Sequence, residues 1–199
     1  MKQIFTMDVE NKIENGIKFA NVLRKNGLKG EFYVSGFLVD KYPGMCRKIA
    51  KYHMMGGHGY MHEDFMQLSL KDQKEVIEKT VGAFKRSNIK MDGWRFPYLS
   101  YKNESMNILA DLNIADSSIR RSALKRWEKF AFIRNWLAGL KRLKFFLPIP
   151  YSSKLKERPW DVVDLGTKNF WRYPGRIITH CYNYPKFEKD IKKWLESTD

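Results

Sequence analysis

Short apolar runs of strand length alternate with segments whose apolar residues recur at helical spacing, and this alternation limits the fold more than any other feature of the chain. QIFTMDV reads as a buried strand that ends at acidic residues, and NGIKFANVLRKNGLKG follows as an amphipathic helix with a glycine stop. GEFYVSG reads as a second strand, PGMCRKIAKYHMM as a second helix, and GGHG as a short strand or the exit from one. LSLKDQKEVIEKTVGAFKRSN has the pattern of a long amphipathic helix begun by a serine cap. MDGWRFPY reads as strand and turn, NESMNILADLN as helix and ADSSI as extended chain. KFFLPIPYS, PWDVVDLG and RIITHCYNY are further strand candidates before a closing helix over PKFEKDIKKWLES. Such an order predicts an α/β fold in which helices join parallel strands, with chemistry at the strands' C-terminal ends. With 199 residues, 43% of them hydrophobic and 15% aromatic, the chain can bury one full core, which predicts a single domain over 1–199.

Charge narrows the partners. A formal charge of +15 predicts attraction to an anionic species: nucleic acid, acidic glycan or phospholipid surface. Much of it is concentrated in residues 120–144, where nine Lys and Arg face Glu128 alone. Leu124, Trp127, Phe130, Ile133, Leu137 and Leu140 interleave at helical spacing, so this stretch reads as an inserted basic amphipathic helix. It is either a solvated surface helix or a membrane-surface contact. Cys46 and Cys181 are too few for a disulfide framework and read as packed thiols. The first residues lack the apolar core of an export signal, and no apolar run approaches the roughly 18 residues of a membrane span. The expectation is a cytoplasmic protein, with the membrane surface as a second location.

Only four histidines are present, yet GGHGYMHEDF places His58 and His62 four residues apart beside glycines. A helical turn or a tight loop at that spacing can turn two imidazoles toward one metal ion. Asp8, His58, Arg95, Asp116 and His180 each stand at or just past the C-terminal end of an expected strand. Each alone has an ordinary explanation as a cap, a stacked cation or a core residue, whereas strand ends that converge would assemble them into one site. His53 reads as a helix-end residue, and Glu63 and Asp64 as caps of the next turn or as partners that orient an imidazole. Trp94, Phe96, Tyr98, Tyr101, Phe170 and Trp171 read mainly as core, with those near WRFPY and NFWRY able to stack on sugar rings.

The ordered series FTMDVE, HGYMHEDF, WRFPY, ADSSI, LPIPYS and IITH resembles the motifs of NodB-like polysaccharide deacetylases, carbohydrate esterase family four, across most of the chain. The resemblance implies a distorted (β/α) barrel of about seven strands and a hydrolase that removes N-acetyl groups from sugars with a divalent metal, commonly zinc. On that resemblance His58 and His62 are metal ligands, and Asp8 is the general base, oriented by Arg95. Tyr98, following the turn at Pro97, offers its backbone N–H to the oxyanion; His180 is the general acid, and Ile178 lines the pocket for the acetyl methyl.

This chain departs from the family pattern at two places. Where many members carry adjacent aspartates, Asp8 is followed by Val9, so a carboxylate ligand is missing. Glu10 lies two residues on, on the same side of a strand, and can replace it. The alternatives are metal binding by Asp8 itself, a water in that position, or loss of metal and catalysis. Asp116 matches the aspartate that tunes the catalytic histidine but lacks the adjacent tryptophan, and Asp161 beside Trp160 is a second candidate. The segment before the last strand is also short, which predicts a more open barrel. The leading expectation is therefore a metal-dependent sugar N-deacetylase acting on a polysaccharide or a lipid-linked glycan precursor. Its rivals are a catalytically silent carbohydrate-binding relative, a deformylase-type C–N hydrolase on a lipid-linked amino sugar, and a nucleic-acid-binding protein that leaves the histidine pair unexplained.

Overall fold

The computed structural model describes residues 4–102, 104–116, 162–163 and 176–197. In chain order the elements are β1 (Ile4–Val9), α1 (Ile13–Lys25), β2 (Glu31–Val34), α2 (Gly36–Lys41), α3 (Pro43–Ala50), β3 (Met54–Gly57), α4 (Leu70–Arg86), β4 (Gly93–Trp94), α5 (Ser105–Asp111), β5 (Val162–Val163), β6 (Arg176–His180) and α6 (Tyr184–Glu196). Six strands form one sheet in the order β4-β3-β2-β1-β6-β5, and every pairing is parallel. A bridge from Trp94 to Asp116 extends its β4 edge. The α/β expectation with a parallel sheet is met. Of the expected seven-strand barrel, six strands lie among the described residues, and no described pairing joins β4 to β5.

Parallel strands covered on both faces need apolar or internally paired side chains throughout. In β1 Phe5 to Val9 are all buried, and so is every residue of β2. Phe19 of α1 packs edge-on against Phe5 and Phe32 with centroids 5.9 and 6.2 Å apart, which welds the first helix to the first two strands. Ser69 caps α4 as its sequence predicts: its hydroxyl accepts from the Asp72 N–H at 3.1 Å and donates to the Asp72 carboxylate at 2.7 Å. Two glycines in β3 make room for large neighbours. A Cβ at Gly56 would stand 2.6 Å from the Tyr33 ring, and one at Gly57 would stand 2.6 Å from the Trp94 ring.

Several boundaries differ from the expectation. The second helix stops at Ala50, so Met54 and Met55 belong to β3: tertiary pairing with β2 outweighs their helical propensity. RIITHCYNY is a strand only to His180, after which Cys181–Asn183 turn into α6. The six-residue α2 is too short to show a helical period, so its spacing predicts no helix there. Both cysteines are buried and free, as packed thiols. Residues 120–144, LPIPYS, Trp160, Asp161, Phe170 and Trp171 lie outside the described residues. No described helix is long and apolar enough to cross a membrane.

Candidate active site

At the C-terminal ends of the central strands, Asp8, Glu10, His58, His62, Tyr98, Leu99, Ile178, His180 and Tyr182 line a cleft of about 270 Å³. The sheet register assembles it. Asp8 in β1 stands opposite Tyr33 in β2 on one side and His180 in β6 on the other. His58 follows β3 directly, and its N–H continues the ladder to the Val34 carbonyl at 3.1 Å. Arg95 follows β4 in the same way, donating its N–H to the Gly57 carbonyl at 2.9 Å.

Asp8 is the electrostatic centre. The fully buried Arg95 donates from Nη1 to Asp8 Oδ1 at 2.5 Å, and its guanidinium lies 4.1 Å from the centroid of the Tyr33 ring. The other carboxylate oxygen, Oδ2, stands 4.0 Å from His58 Nε2 and 3.8 Å from His180 Nε2. Burial alone would raise the Asp8 pKa, but the Arg95 guanidinium, with His58 and His180, holds it below the usual carboxylate range. Asp8 is therefore an ionised acceptor at neutral pH, with one oxygen clamped and one facing the cleft.

His58 repeats this division of labour. Its Nδ1 lies 2.8 Å from the Arg95 carbonyl, which can only accept, so Nδ1 carries the proton and Nε2 the lone pair. Burial pulls its pKa down to about 4 despite the nearby Asp8, so the ring is neutral at pH 7. His62 reaches the cleft by a loop rather than a helical turn, and it takes a left-handed φ of 67°. Such a conformation costs a non-glycine residue on the order of 1–3 kcal/mol. His62 Nε2 stands 3.0 Å from Glu10 Oε2, and its ring meets Tyr98 edge-on at 4.5 Å. Burial raises the Glu10 pKa, yet the bond and charge of His62 outweigh it and keep the carboxyl below its ordinary value.

The donor chemistry suits a divalent ion. One neutral imidazole presents Nε2 while its Nδ1–H is held by a carbonyl, the arrangement typical of metal-ligating histidine. A second imidazole and two ionised carboxylates stand beside it. Among the described residues, however, no three His, Cys, Asp or Glu side chains converge in metal-holding geometry. Glu10 and His62 are instead paired with each other.

Of the residues expected from sequence, the structure brings Asp8, Glu10, His58, His62, Tyr98, Ile178 and His180 into the cleft lining. Arg95 acts from beneath it. Pro97 is buried in the short 3₁₀ turn Pro97–Leu99, where Tyr98 and Leu99 take φ of 57° and 53° and Tyr98 is left 65% exposed. Asp116 is buried beside Trp94 and is not part of the described lining. The chain hides three further contributors. Leu99 and Tyr182 line the cleft, and Tyr33 carries the Arg95 cation although its sequence context reads as plain core. The spacing of Tyr182, two residues after His180, was an available signal.

The model of the polysaccharide deacetylase family matches residues 10–116. Among solved structures, a family 4 carbohydrate esterase from Bacillus anthracis is 14% identical, covers all of this chain and 77% of its own, and has a TM-score of 0.64. A protein of Mycobacterium smegmatis described as a polysaccharide deacetylase is 15% identical over 98% of this chain and 83% of its own, with a TM-score of 0.69. A pseudoenzyme of carbohydrate esterase family 4 from Bacillus anthracis superimposes with a TM-score of 0.63 at 15% identity, covering 99% of this chain. This chain spans 61% of that pseudoenzyme's length. No curated protein matches. These likenesses establish a shared fold; one fold that houses both an esterase and a pseudoenzyme leaves activity to the residues of the site.

Proposed function

We propose, since this chain belongs to the polysaccharide deacetylase family, that it hydrolyses the N-acetyl amide of a sugar in a polysaccharide or a lipid-linked glycan precursor. One observation carries the reading: Asp8 is clamped through Oδ1 by Arg95 while Oδ2 faces both His58 and His180 at the strand ends. Amide hydrolysis needs a base for the attacking water, a donor for the oxyanion and an acid for the leaving amine. Asp8 Oδ2 takes the water's proton as the oxygen adds to the acetyl carbon. The backbone N–H of Tyr98 receives the oxyanion, and His180 protonates the sugar nitrogen as the C–N bond breaks, releasing acetate and the free amine. Ile178 borders the acetyl methyl, Asp116 supports the acid from outside the cleft, and Tyr98 with Tyr182 walls the sugar ring. His58 and His62, with Glu10 for the carboxylate that Val9 cannot supply, would hold a divalent ion, zinc in the simplest case. When bound, such an ion polarises the carbonyl and acidifies water. The basic stretch 120–144 suits a substrate carrying phosphate at a cytoplasmic membrane face.

A second reading, a catalytically silent carbohydrate-binding relative, is favoured by Val9 and by the direct Glu10–His62 pair. One assay separates the two: acetate release from N-acetylglucosamine oligomers by purified protein incubated with zinc, with Asp8→Asn and His180→Ala alongside. Turnover by the wild type that both variants lose supports the hydrolase. A folded wild type that takes up no zinc, binds the oligomer and releases no acetate establishes the silent relative instead. Formate from an N-formylated analogue, without acetate from the acetylated one, identifies the deformylase.

A further inference from the structure

Between its two histidines the chain leaves β3 and folds into a loop with left-handed backbone at both ends, φ 69° at Gly59 and 67° at His62. The outer side of this loop is tied to α2. The Gly36 and Phe37 N–H groups donate to the Gly59 and Tyr60 carbonyls, each at 2.9 Å. Its inner side is closed by a single carboxylate: Glu63 Oε2 accepts from the Tyr60 N–H at 2.8 Å, and Oε1 accepts from the Met61 N–H at 2.9 Å. The same carboxylate fills the space a side chain at Gly59 would need, since a Cβ there would stand 2.7 Å from Glu63 Oε2 and 3.2 Å from Pro97. Successive backbone N–H groups around a tight loop form a concave anion seat, and here the anion belongs to the chain itself. Neighbouring Asp64 has other partners, accepting from the Met66 N–H and the Ser100 hydroxyl at 3.1 and 2.8 Å.

We infer that Glu63 is the positioning residue of this site, its carboxylate holding residues 59–62 in the one conformation that presents His62 to Glu10 and Tyr98. The inference rests on the metal-assisted reading only for its consequence in binding, because the loop geometry stands independently of it. Two divergent N–H donors need two acceptor oxygens. A glutamine in place of Glu63 has the same shape but only one acceptor, and its NH₂ opposes the second N–H. His58 is held separately, by the ladder to Val34 and by the Arg95 carbonyl. Loss of Glu63 therefore loosens one histidine and not the other.

The test compares the full chain with Glu63→Gln and Glu63→Ala by NMR and by zinc competition titration. In Glu63→Gln we expect faster amide exchange at Tyr60 and Met61, a weaker ring contact between His62 and Tyr98, and unmoved His58 resonances. Zinc affinity should fall about 10–100-fold, the loss typical when a partner supporting a ligand is removed. Should Glu63→Ala fail to fold, the isosteric Glu63→Gln decides alone. Unchanged exchange and an unchanged His62–Tyr98 contact overturn the inference, and so does equal displacement of His58 and His62, which marks general loosening. A wild type that takes up no zinc ends the metal reading while the NMR comparison still decides the role of Glu63.

Discussion

The two ends of the sheet carry the same polar inventory and use it in opposite ways. At the C-terminal end of the strands stand a carboxylate–arginine pair, Asp8 with Arg95, and a buried histidine, His58. Toward the other end stand Glu31 paired with Arg176, and the buried His53. There every named group is engaged within the protein. His53 Nδ1 accepts from the Gly30 N–H at 3.1 Å, and its Nε2 lies 2.9 Å from the Ala20 carbonyl, so both ring nitrogens are consumed by backbone. Glu31 accepts from the Tyr33 hydroxyl at 3.0 Å besides pairing with Arg176. At the cleft end Asp8 and His58 each commit one atom to the scaffold and turn the other toward the cleft. Tyr33 bridges the two sets, its hydroxyl on Glu31 and its ring against Arg95. Buried charge is thus closed on itself at one end and open toward the cleft at the other, and the distinguishing sign is an oriented atom left facing open space.

Substitutions that act at one end only break or sharpen this contrast. The largest effect is expected for Asp8→Asn, which keeps the shape and removes the proposed base: kcat for acetate release should fall about 10²–10⁴-fold. Glu31→Gln should leave kcat within a few-fold, and a comparable loss from both would erase the distinction. Next comes Arg95→Ala. With Arg95 buried and Asp8 almost so, an uncompensated carboxylate remains, and stability should drop by about 3–5 kcal/mol in urea unfolding. The double variant Arg95→Ala/Asp8→Asn should recover part of that loss, since the stranded charge is gone. Arg176→Ala should cost less, about 1–3 kcal/mol, because Glu31 keeps the Tyr33 hydroxyl and lies nearer to water. Equal costs at the two ends would show that the pairs do the same work.

How legible this was from sequence depended on how local the cause is. The alternation of elements could be read because each strand and helix carries its own period, and Asp8, His58, Arg95 and His180 could be placed because strand ends follow from that period. The start of β3 could not: Met54 and Met55 prefer helix, and only pairing with Glu31 and Phe32 makes them a strand. Tyr33 was equally hidden, since nothing within four residues of it signals an arginine 62 positions later in the chain. Glu63 was visible as a candidate orienting group, but its role depends on the left-handed φ of Gly59 and His62, which the loop as a whole imposes. The placement of Glu10 against His62, rather than beside Asp8 alone, likewise needed coordinates.

The smallest expected effect tests the structural end through pH. Burial, with the nearby Arg24 and Lys29 charges, lowers the pKa of His53 below its ordinary value, against the opposing pull of the Ala20 carbonyl. Since Ala20 can only accept, Nε2 carries the proton, and Nδ1 needs its lone pair for the Gly30 N–H. A second proton on the ring would destroy that bond. The unfolded chain therefore binds a proton more readily than the folded one between the depressed folded pKa and about 6.5. Stability from His53 is fully present above that upper bound and is lost as pH falls through the window. His53→Gln should cost roughly 1–2 kcal/mol at pH 7.5, the loss of a buried hydrogen bond, and should flatten this acid limb. Urea midpoints at pH 7.5 and pH 5.5 for both proteins read the effect directly: the gap between them must narrow on the acid side. A gap that widens on acidification would mean that the His53 ring gains a proton more readily in the folded state, and the closed bonding assigned to this end of the sheet would be wrong.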